Sequence, residues 1–109
     1  MCEFKVIVIE PGNKTYVATE DISFLKLQED DGTILLKGLG IQKSVNTAII
    51  KEVNVYAEDG ATAKLFKAPI IGEFIKFLKN LESGSYSSEL EKSWNELVSK
   101  GNELIEQLK

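Results

Sequence analysis

The chain has 109 residues, of which 43% are hydrophobic and 28% are charged, and this is the composition of one folded domain rather than of a disordered segment. Its 13 cations are all lysines and stand against 17 carboxylates, so the net charge of −4 argues against a strongly basic nucleic-acid-binding protein. The absence of histidine and arginine excludes histidine-based catalytic triads and metal sites, and the single cysteine excludes an intrachain disulfide and a one-chain zinc cluster.

The first 60 residues show the composition and turn signals of a β meander. Strand-like segments rich in β-branched residues occur, in chain order, at 3–9, 15–18, 22–27, 33–37, 41–45 and 49–56. The dipeptide Asp31-Gly32 stands between two apolar runs, which predicts a hairpin there. Five or six short strands joined by tight turns predict a small antiparallel β-barrel-like unit, which we assign to residues 1–67.

After the predicted strands, apolar residues recur at helical spacing. Residues 68–81 are predicted to be a helix because Pro69 suits a first turn and the apolar residues cover a wide face. Ser88 and Glu91 have the spacing of a capping box, which predicts the start of a second helix. The fold class is therefore α+β, with residues 68–109 as a helical extension packed on the β unit or on a partner subunit.

Apolar residues of the second predicted helix form a heptad-like stripe. Its members are Leu90, Trp94, Leu97, Leu104 and Leu108, with Gly101 in the vacant position. Val98 and Ile105 widen this stripe to the face of an ordinary packed helix. We expect the apolar segment 70–79 to pack on it within the chain. The alternative is that this segment seals a dimer or docks a partner protein.

Cys2 is the one strong nucleophile and the one soft metal ligand in the sequence. Together with the α-amine of Met1 and its own backbone nitrogen, its thiolate would form two fused five-membered chelate rings. Such an N,N,S donor set suits square-planar Ni(II) or Cu(II). One set leaves the metal incompletely ligated, and a homodimer that brings two Cys2 residues together would supply the remaining ligands. The alternative is that Cys2 is a small residue with no ligand role.

The order of motifs over residues 1–60 resembles that of the CooT-type nickel-binding proteins. The chain opens with Met1-Cys2-Glu3, which is followed by a strand and a turn. The later segments of the pattern stand in the same order: 29–32 (EDDG), 34–40 (ILLKGLG), 42–45 (QKSV) and 50–55 (IKEVNV). The chain departs from the short members of that family by its helical segment, residues 68–109.

The resemblance implies a small β-barrel homodimer that binds one Ni(II) ion between its subunits through Cys2. Such a protein is a non-enzymatic accessory or chaperone in the maturation of a client metalloenzyme. Cys2 is the one residue of this chain that the resemblance marks as a metal ligand. The family is also labelled as predicted RNA-binding, which is an argument from fold alone.

The lysines of the central segment suggest an alternative function. Residues 37–79 carry seven lysines and four carboxylates, a local charge of +3, whereas 1–36 and 80–109 carry −4 and −3. Lysines bind phosphates and exposed aromatic rings stack on bases, so an RNA surface would comprise Lys37, Lys43, Lys51 and Lys64, with Tyr56 and Phe66 nearby in sequence. The acidic total and the absence of arginine weigh against this alternative.

The sequence does not indicate an enzyme. Cys2 has no histidine to activate it, and the turn carboxylates Asp30 and Asp31 are expected to be solvated. No apolar run approaches the length of a membrane span, and the first residues do not have the pattern of a signal peptide. We therefore expect a cytoplasmic protein without membrane contact.

Overall fold

The computed structural model describes residues 3–28, 32–56, 58 and 60–109. In these residues the chain forms, in order, β1 (Phe4–Glu10), β2 (Lys14–Ile22), β3 (Phe24–Gln28), β4 (Thr33–Gly38), β5 (Ile41–Val45), β6 (Ala48–Asn54), β7 (Thr62–Lys67), α1 (Pro69–Leu81) and α2 (Ser88–Leu108). The predicted α+β class with two helices after the strands is confirmed.

The strands form two sheets. Sheet A has the order β2-β1-β7-β6 and sheet B has the order β3-β4-β5. Neighbouring strands pair antiparallel except β1 and β7, which run parallel. Among the described strands no closed barrel is formed, so the barrel-like arrangement is not confirmed. The simple meander is wrong, because β2 and β3, and likewise β5 and β6, belong to different sheets.

Strand β7 is missing from the sequence-based prediction. Its sequence, TAKLFK, contains one β-branched residue and two lysines, so its intrinsic strand propensity is weak. Ala63 and Leu65 are nevertheless fully buried, because β7 pairs with β1 on one side and β6 on the other. Pairing in the interior of sheet A therefore outweighs local propensity.

The core lies between the facing sides of the two sheets. Residues of both sheets are fully or almost fully buried there: Val6, Val8, Ala63 and Leu65 from sheet A, and Ile34 and Leu36 from sheet B. Each such aliphatic side chain contributes about 1.5–3 kcal/mol when it leaves water. Because side chains alternate between the two faces of a strand, the residues next to these point away from the core.

A corner at the end of β2 joins the two sheets. Asp21 has a positive φ of 59°, and the backbone N–H of Ser23 donates to the carbonyl oxygen of Lys37 at 2.9 Å. The backbone of Gly38 lies directly against the carbonyl oxygen of Asp21, where no Cβ atom would fit. This close approach requires glycine, and it directs the side chain of Ile22 into the core.

Helix α1 packs with one side on the β unit and with another side on α2. Ile71 and Ile75 are buried, and a Cβ atom added at Gly32 would lie in van der Waals contact with Gly72 and Ile75. Helix α2 makes its main contacts with α1. The two helices form an antiparallel hairpin, which gives the molecule an elongated shape of 45 × 36 × 22 Å.

The cap of α2 differs from the predicted one. Ser87, not Ser88, is the N-cap, and its hydroxyl oxygen accepts a hydrogen bond from the backbone N–H of Leu90 at 3.0 Å. A capping box needs Glu or Gln at the third helical position, but leucine stands there. The predicted pair of Ser88 and Glu91 is therefore wrong by one residue, and the carboxylate of Glu91 instead accepts a hydrogen bond from the hydroxyl of Tyr86.

Substitution of Gly38 and of Gly101 by alanine should change stability in opposite directions. In Gly38→Ala the new methyl group would collide with the carbonyl of Asp21, so we expect a loss of about 1–3 kcal/mol in unfolding free energy. In Gly101→Ala the methyl group meets only Ile70 Cδ1 at 3.7 Å and improves helix propensity, so we expect a gain of about 0.5–1 kcal/mol. Chemical denaturation at one protein concentration compares the two, and equal effects would contradict the assignment of the corner.

Loss of the cap should destabilise α2. We expect Ser87→Ala to reduce the unfolding free energy by about 1 kcal/mol, because the N–H of Leu90 loses its acceptor. The matched control is Ser88→Ala, whose hydroxyl contacts only the exposed carboxylate of Glu89, and we expect a loss below about 0.5 kcal/mol. Thermal unfolding followed by circular dichroism tests the pair. A larger loss for Ser88→Ala would restore the predicted capping box.

Candidate functional site

The predicted metal ligand Cys2 lies outside the described residues, as do the turn carboxylates Asp30 and Asp31. The described chain begins at Glu3, which is exposed, and β1 begins at the next residue. Strand β1 is hydrogen-bonded to β2 on one side and to β7 on the other. Glu3, the residue after Cys2, therefore adjoins an interior strand of sheet A.

The described residues contain no group of three or more cysteine, aspartate or glutamate side chains that could hold a metal ion. Around the start of β1, Phe4 pairs with Ile22, and the backbone N–H of Lys5 donates to the carbonyl oxygen of Ala61 at 3.0 Å. The described part of the chain thus supplies no preformed multidentate metal site. The donors that the sequence offers for nickel remain those of Met1 and Cys2.

Strand pairing places two of the four predicted RNA-contacting lysines on opposite sides of the β unit. Paired residues on neighbouring strands share one face of their sheet. Lys37 pairs with Phe24 and follows the buried Leu36, so it lies on the outer face of sheet B. Lys64 pairs with Ile7 between buried neighbours, so it lies on the outer face of sheet A. The core separates the two side chains.

The other two predicted lysines occupy separate positions again. Lys43 lies on β5, and its Nζ donates to the carbonyl oxygen of Ala18 at 3.5 Å across the opening between β5 and β2. Lys51 is exposed at the bulge of β6, where the pairing with β7 shifts register. The structure therefore does not bring these four lysines together in one stripe, and RNA binding by them stays a prediction.

The two aromatic residues named with these lysines differ in their exposure to solvent and in their position in the fold. Tyr56 is 92% exposed after β6, whereas Phe66 is half-buried on sheet A and packs against the cluster of Ala68, Ile71 and Ile75. An aromatic residue that the sequence analysis did not single out is better placed. Phe24 is 44% exposed on the outer face of sheet B, and the Nζ of Lys37 lies 5.7 Å from its ring centroid.

A shallow recess between the edges of the two sheets contains a second lysine beside Lys43. It is lined by Tyr16, Ala18, Leu36, Lys43, Ser44, Val45, Asn46 and Lys67. The Nζ of Lys67 donates to the carbonyl oxygen of Asn46 and lies 3.4 Å from the hydroxyl of Thr47. Both ammonium groups thus bind protein oxygens, and the recess shows no anion cradle.

The helical hairpin has one polar side. Recesses on that side are lined by charged residues of both helices, among them Glu73, Lys76, Lys92, Glu96, Lys100 and Glu103. Lys76 lies 3.9 Å from Glu73, and Lys100 lies 3.7 Å from Glu103. Exposed pairs of this kind contribute little to stability but keep this side of the hairpin hydrated.

The opposite side of the hairpin is apolar and open. Seven partly exposed apolar residues form what we call the apolar hairpin face: Phe74, Leu78 and Leu81 of α1, and Trp94, Val98, Ile105 and Leu108 of α2. At 100° per residue the first six fall on this side, whereas Leu108 has the same angle as Leu90 and is exposed because α2 extends past the first turn of α1. The sequence predicted one stripe packed against α1. The structure divides it: Leu90, Leu97 and Leu104 are half-buried toward α1, Trp94 lies on the open side, and Leu108 is exposed where α2 extends past α1.

Two contacts fix the relation of the two helices along this face. The rings of Phe77 and Trp94 lie with centroids 5.3 Å apart at 51°. Farther along, Ile70 lies beside Gly101. Val98 and Ile105, which the sequence assigned to the face of an ordinary packed helix, remain partly exposed in the structure.

One titratable group near the hairpin turn is perturbed. The pKa of Tyr86 is raised because its hydroxyl donates to the carboxylate of Glu91, and the negative charge of that carboxylate further opposes loss of the proton. Tyr86 is exposed and lies just ahead of α2. This contact tethers the inter-helix turn to the first turn of α2 and has no evident catalytic use.

No protein-family model, curated protein or solved structure matches this chain. In the part of the chain that the structure describes, neither helix is long and apolar enough to cross a membrane.

Proposed function

We propose that this protein is a non-enzymatic nickel-binding accessory protein that uses the Cys2 thiolate as a ligand at a homodimer interface. The observation that carries the proposal is the Met1-Cys2 start directly ahead of β1, in a chain whose later motifs stand in the CooT-type order. Two turns of that order coincide with left-handed glycines in the structure, Gly32 before β4 and Gly40 before β5.

The chemistry of the donors suits Ni(II), as it suits Cu(II), and the resemblance favours nickel. A thiolate with an adjacent amine and backbone nitrogen forms a compact chelate, and such nitrogen–sulfur sets suit square-planar metal ions. One chain offers an incomplete set, so two chains would share one ion through their Cys2 residues. Shared ligation also suits a carrier, because separation of the subunits would open the site for transfer to a client metalloenzyme.

We propose a role without catalysis because the sequence has no histidine to activate Cys2. The buried polar side chains of the described residues are Thr33, Thr62 and Ser93, and none of these is an acid or a base. Ser93 donates to the carbonyl of Leu90 within α2, and Thr33 reaches the side-chain oxygen of Asn46, so both serve packing. We place the protein in the cytoplasm as part of the same proposal.

Titration of tag-free protein with Ni(II) tests the nickel site. We expect thiolate-to-nickel charge-transfer absorption and, by native mass spectrometry, one metal ion per two chains. Cys2→Ser should abolish both signals, because it removes the one thiolate of the chain. A second variant that keeps Cys2 but extends the chain ahead of Met1 should weaken binding at least tenfold, because the amine is then lost as a donor.

Two results would contradict the nickel proposal. One is the absence of a thiolate charge-transfer band in tag-free protein whose mass shows Met1 to be present. The other is equal Ni(II) affinity of the wild-type protein and Cys2→Ser. Binding that survives the extension but not Cys2→Ser would keep the thiolate and remove the amine from the donor set.

RNA binding is the alternative function, and the outer face of sheet B favours it over other surfaces. Phe24 and Lys37 form a cation–π pair there, and Lys26 lies on the same face two residues after Phe24. An exposed ring flanked by cations is the element on which single-stranded nucleic acids stack. The net charge of −4 limits its affinity through long-range repulsion.

The RNA alternative predicts a position-dependent loss of binding. Phe24→Ala and Lys37→Ala should each weaken binding of a single-stranded RNA by about threefold or more, whereas Lys64→Ala on the opposite face should not. Fluorescence anisotropy at several salt concentrations measures this, and affinity should fall as salt rises. An RNA affinity that does not change with salt concentration, or an equal loss of affinity in Lys64→Ala, would contradict RNA binding at this surface.

A further inference from the structure

The apolar hairpin face leaves a large apolar surface open in the single chain. Ile105 is 56% exposed and Leu108 is 84% exposed, and the other five members are between about two-fifths and one-half exposed. With roughly 150–250 Å² for a large side chain, the seven residues leave on the order of 600 Å² of apolar surface open. This equals the largest patches found on ordinary monomers.

The α2 part of this face has the spacing of a coiled-coil seam. Trp94, Val98, Gly101, Ile105 and Leu108 follow one another at intervals of 4, 3, 4 and 3 residues. This seam differs from the Leu90, Leu97 and Leu104 stripe that packs on α1. None of its members is charged, so burying the seam carries no charge-desolvation cost.

The seam is nearly symmetric about Gly101. Trp94 and Leu108 lie seven residues to either side of it, while Val98 and Ile105 lie three before and four after. An antiparallel second copy of α2 would therefore meet matching apolar positions along the whole seam. A two-fold axis near Gly101 satisfies the rule that a symmetric dimer uses the same patch on both subunits.

The unequal lengths of the helices favour the same antiparallel arrangement. Ile70, in the first turn of α1, lies opposite Gly101, so the last two turns of α2 extend past the level of Ile70. In an antiparallel pair, the overhanging Ile105 and Leu108 of one copy lie across the wide part of the other, where α1 and α2 are side by side.

We propose that the apolar hairpin face is a homodimer interface, in which two α2 helices cross antiparallel about a two-fold axis near Gly101 and form a four-helix arrangement with the two α1 helices. Two open faces of on the order of 600 Å² bury about 1,200 Å² before any polar rim is counted, which reaches the range of specific interfaces. The interface needs no metal, so it goes beyond the nickel proposal and can be tested independently of it.

Sedimentation velocity of metal-free Cys2→Ser protein tests the dimer, because that variant removes any contribution of nickel ligation. We expect a species of twice the 12.1 kDa chain mass at micromolar concentration. Ile105→Lys should raise the dimer dissociation constant at least tenfold, because two buried isoleucines become charged groups. The matched control is Gln107→Lys, which adds the same charge on the polar side of α2, beside Glu103 and Glu106, and should leave the dimer intact.

Circular dichroism should show that Ile105→Lys keeps its helices, because this side chain is exposed in the single chain. A monomer at about 100 μM for Cys2→Ser, or equal weakening by Gln107→Lys, would overturn the interface. If nickel binding then persisted in the wild-type protein, the metal proposal would survive while this one failed.

Disulfide trapping in the Cys2→Ser background tests the orientation. Gly101→Cys should form a disulfide-linked dimer on mild oxidation, because the proposed two-fold axis brings this position against its own copy. In the single chain an added Cβ there meets Ile70 Cδ1 at 3.7 Å, which is ordinary van der Waals contact. Ser99→Cys on the polar side should not. Val98→Cys and Ile105→Cys should link to each other in a mixture and not to themselves. Self-linking of Val98→Cys would overturn the antiparallel arrangement.

Discussion

The two-sheet architecture depends on the contact between the backbones of Gly38 and Asp21. At this point the chain leaves sheet A and enters sheet B, and the ends of β2 and β4 come closer than any side chain would allow. The N–H of Ser23 is paired with the carbonyl of Lys37 beside it, so the corner keeps its backbone hydrogen bonding. Because this corner sets the angle between the sheets, it also sets which residues meet in the core and which surfaces face outward. Lys37 and Lys64 are separated for this reason.

Local signals in the sequence were sufficient for most elements and insufficient for their arrangement. The fifth predicted strand, 41–45, coincides with β5, and the first predicted helix differs from α1 by one residue at its start. Turn residues and periodicity act over a few positions, so they locate such elements well. Strand β7 and its parallel pairing with β1 depend on residues about sixty positions apart, and no local pattern in TAKLFK records that partner. The α2 cap shifted by one residue because two consecutive serines compete for the same role.

The candidate sites differ in how far sequence alone could define them. Cys2 stands out because it is the one thiol in the chain, and the chemistry of thiolates makes that visible without coordinates. The four lysines were predicted as an RNA surface because the local net charge of residues 37–79 is positive. Local charge along a sequence does not show on which face of which sheet each residue lies. The apolar hairpin face required the structure, since the same spacing in α2 is compatible with packing on α1. The structure shows that α1 covers one sector of α2 and leaves another sector open, and this division identifies the open sector as a candidate interface.

The parallel pairing of β1 with β7 has a consequence for the order in which the molecule assembles. During synthesis, β1 emerges first and can pair with β2 at once, but its other edge stays open until residues 62–67 have left the ribosome. Closing that long loop makes sheet A a late step in folding. In the proposed function, the sheet edge beside the strand that follows Cys2 is thus covered only after residues 62–67 have been made. A nascent chain would expose that edge until then, and α1 follows directly behind the strand that covers it.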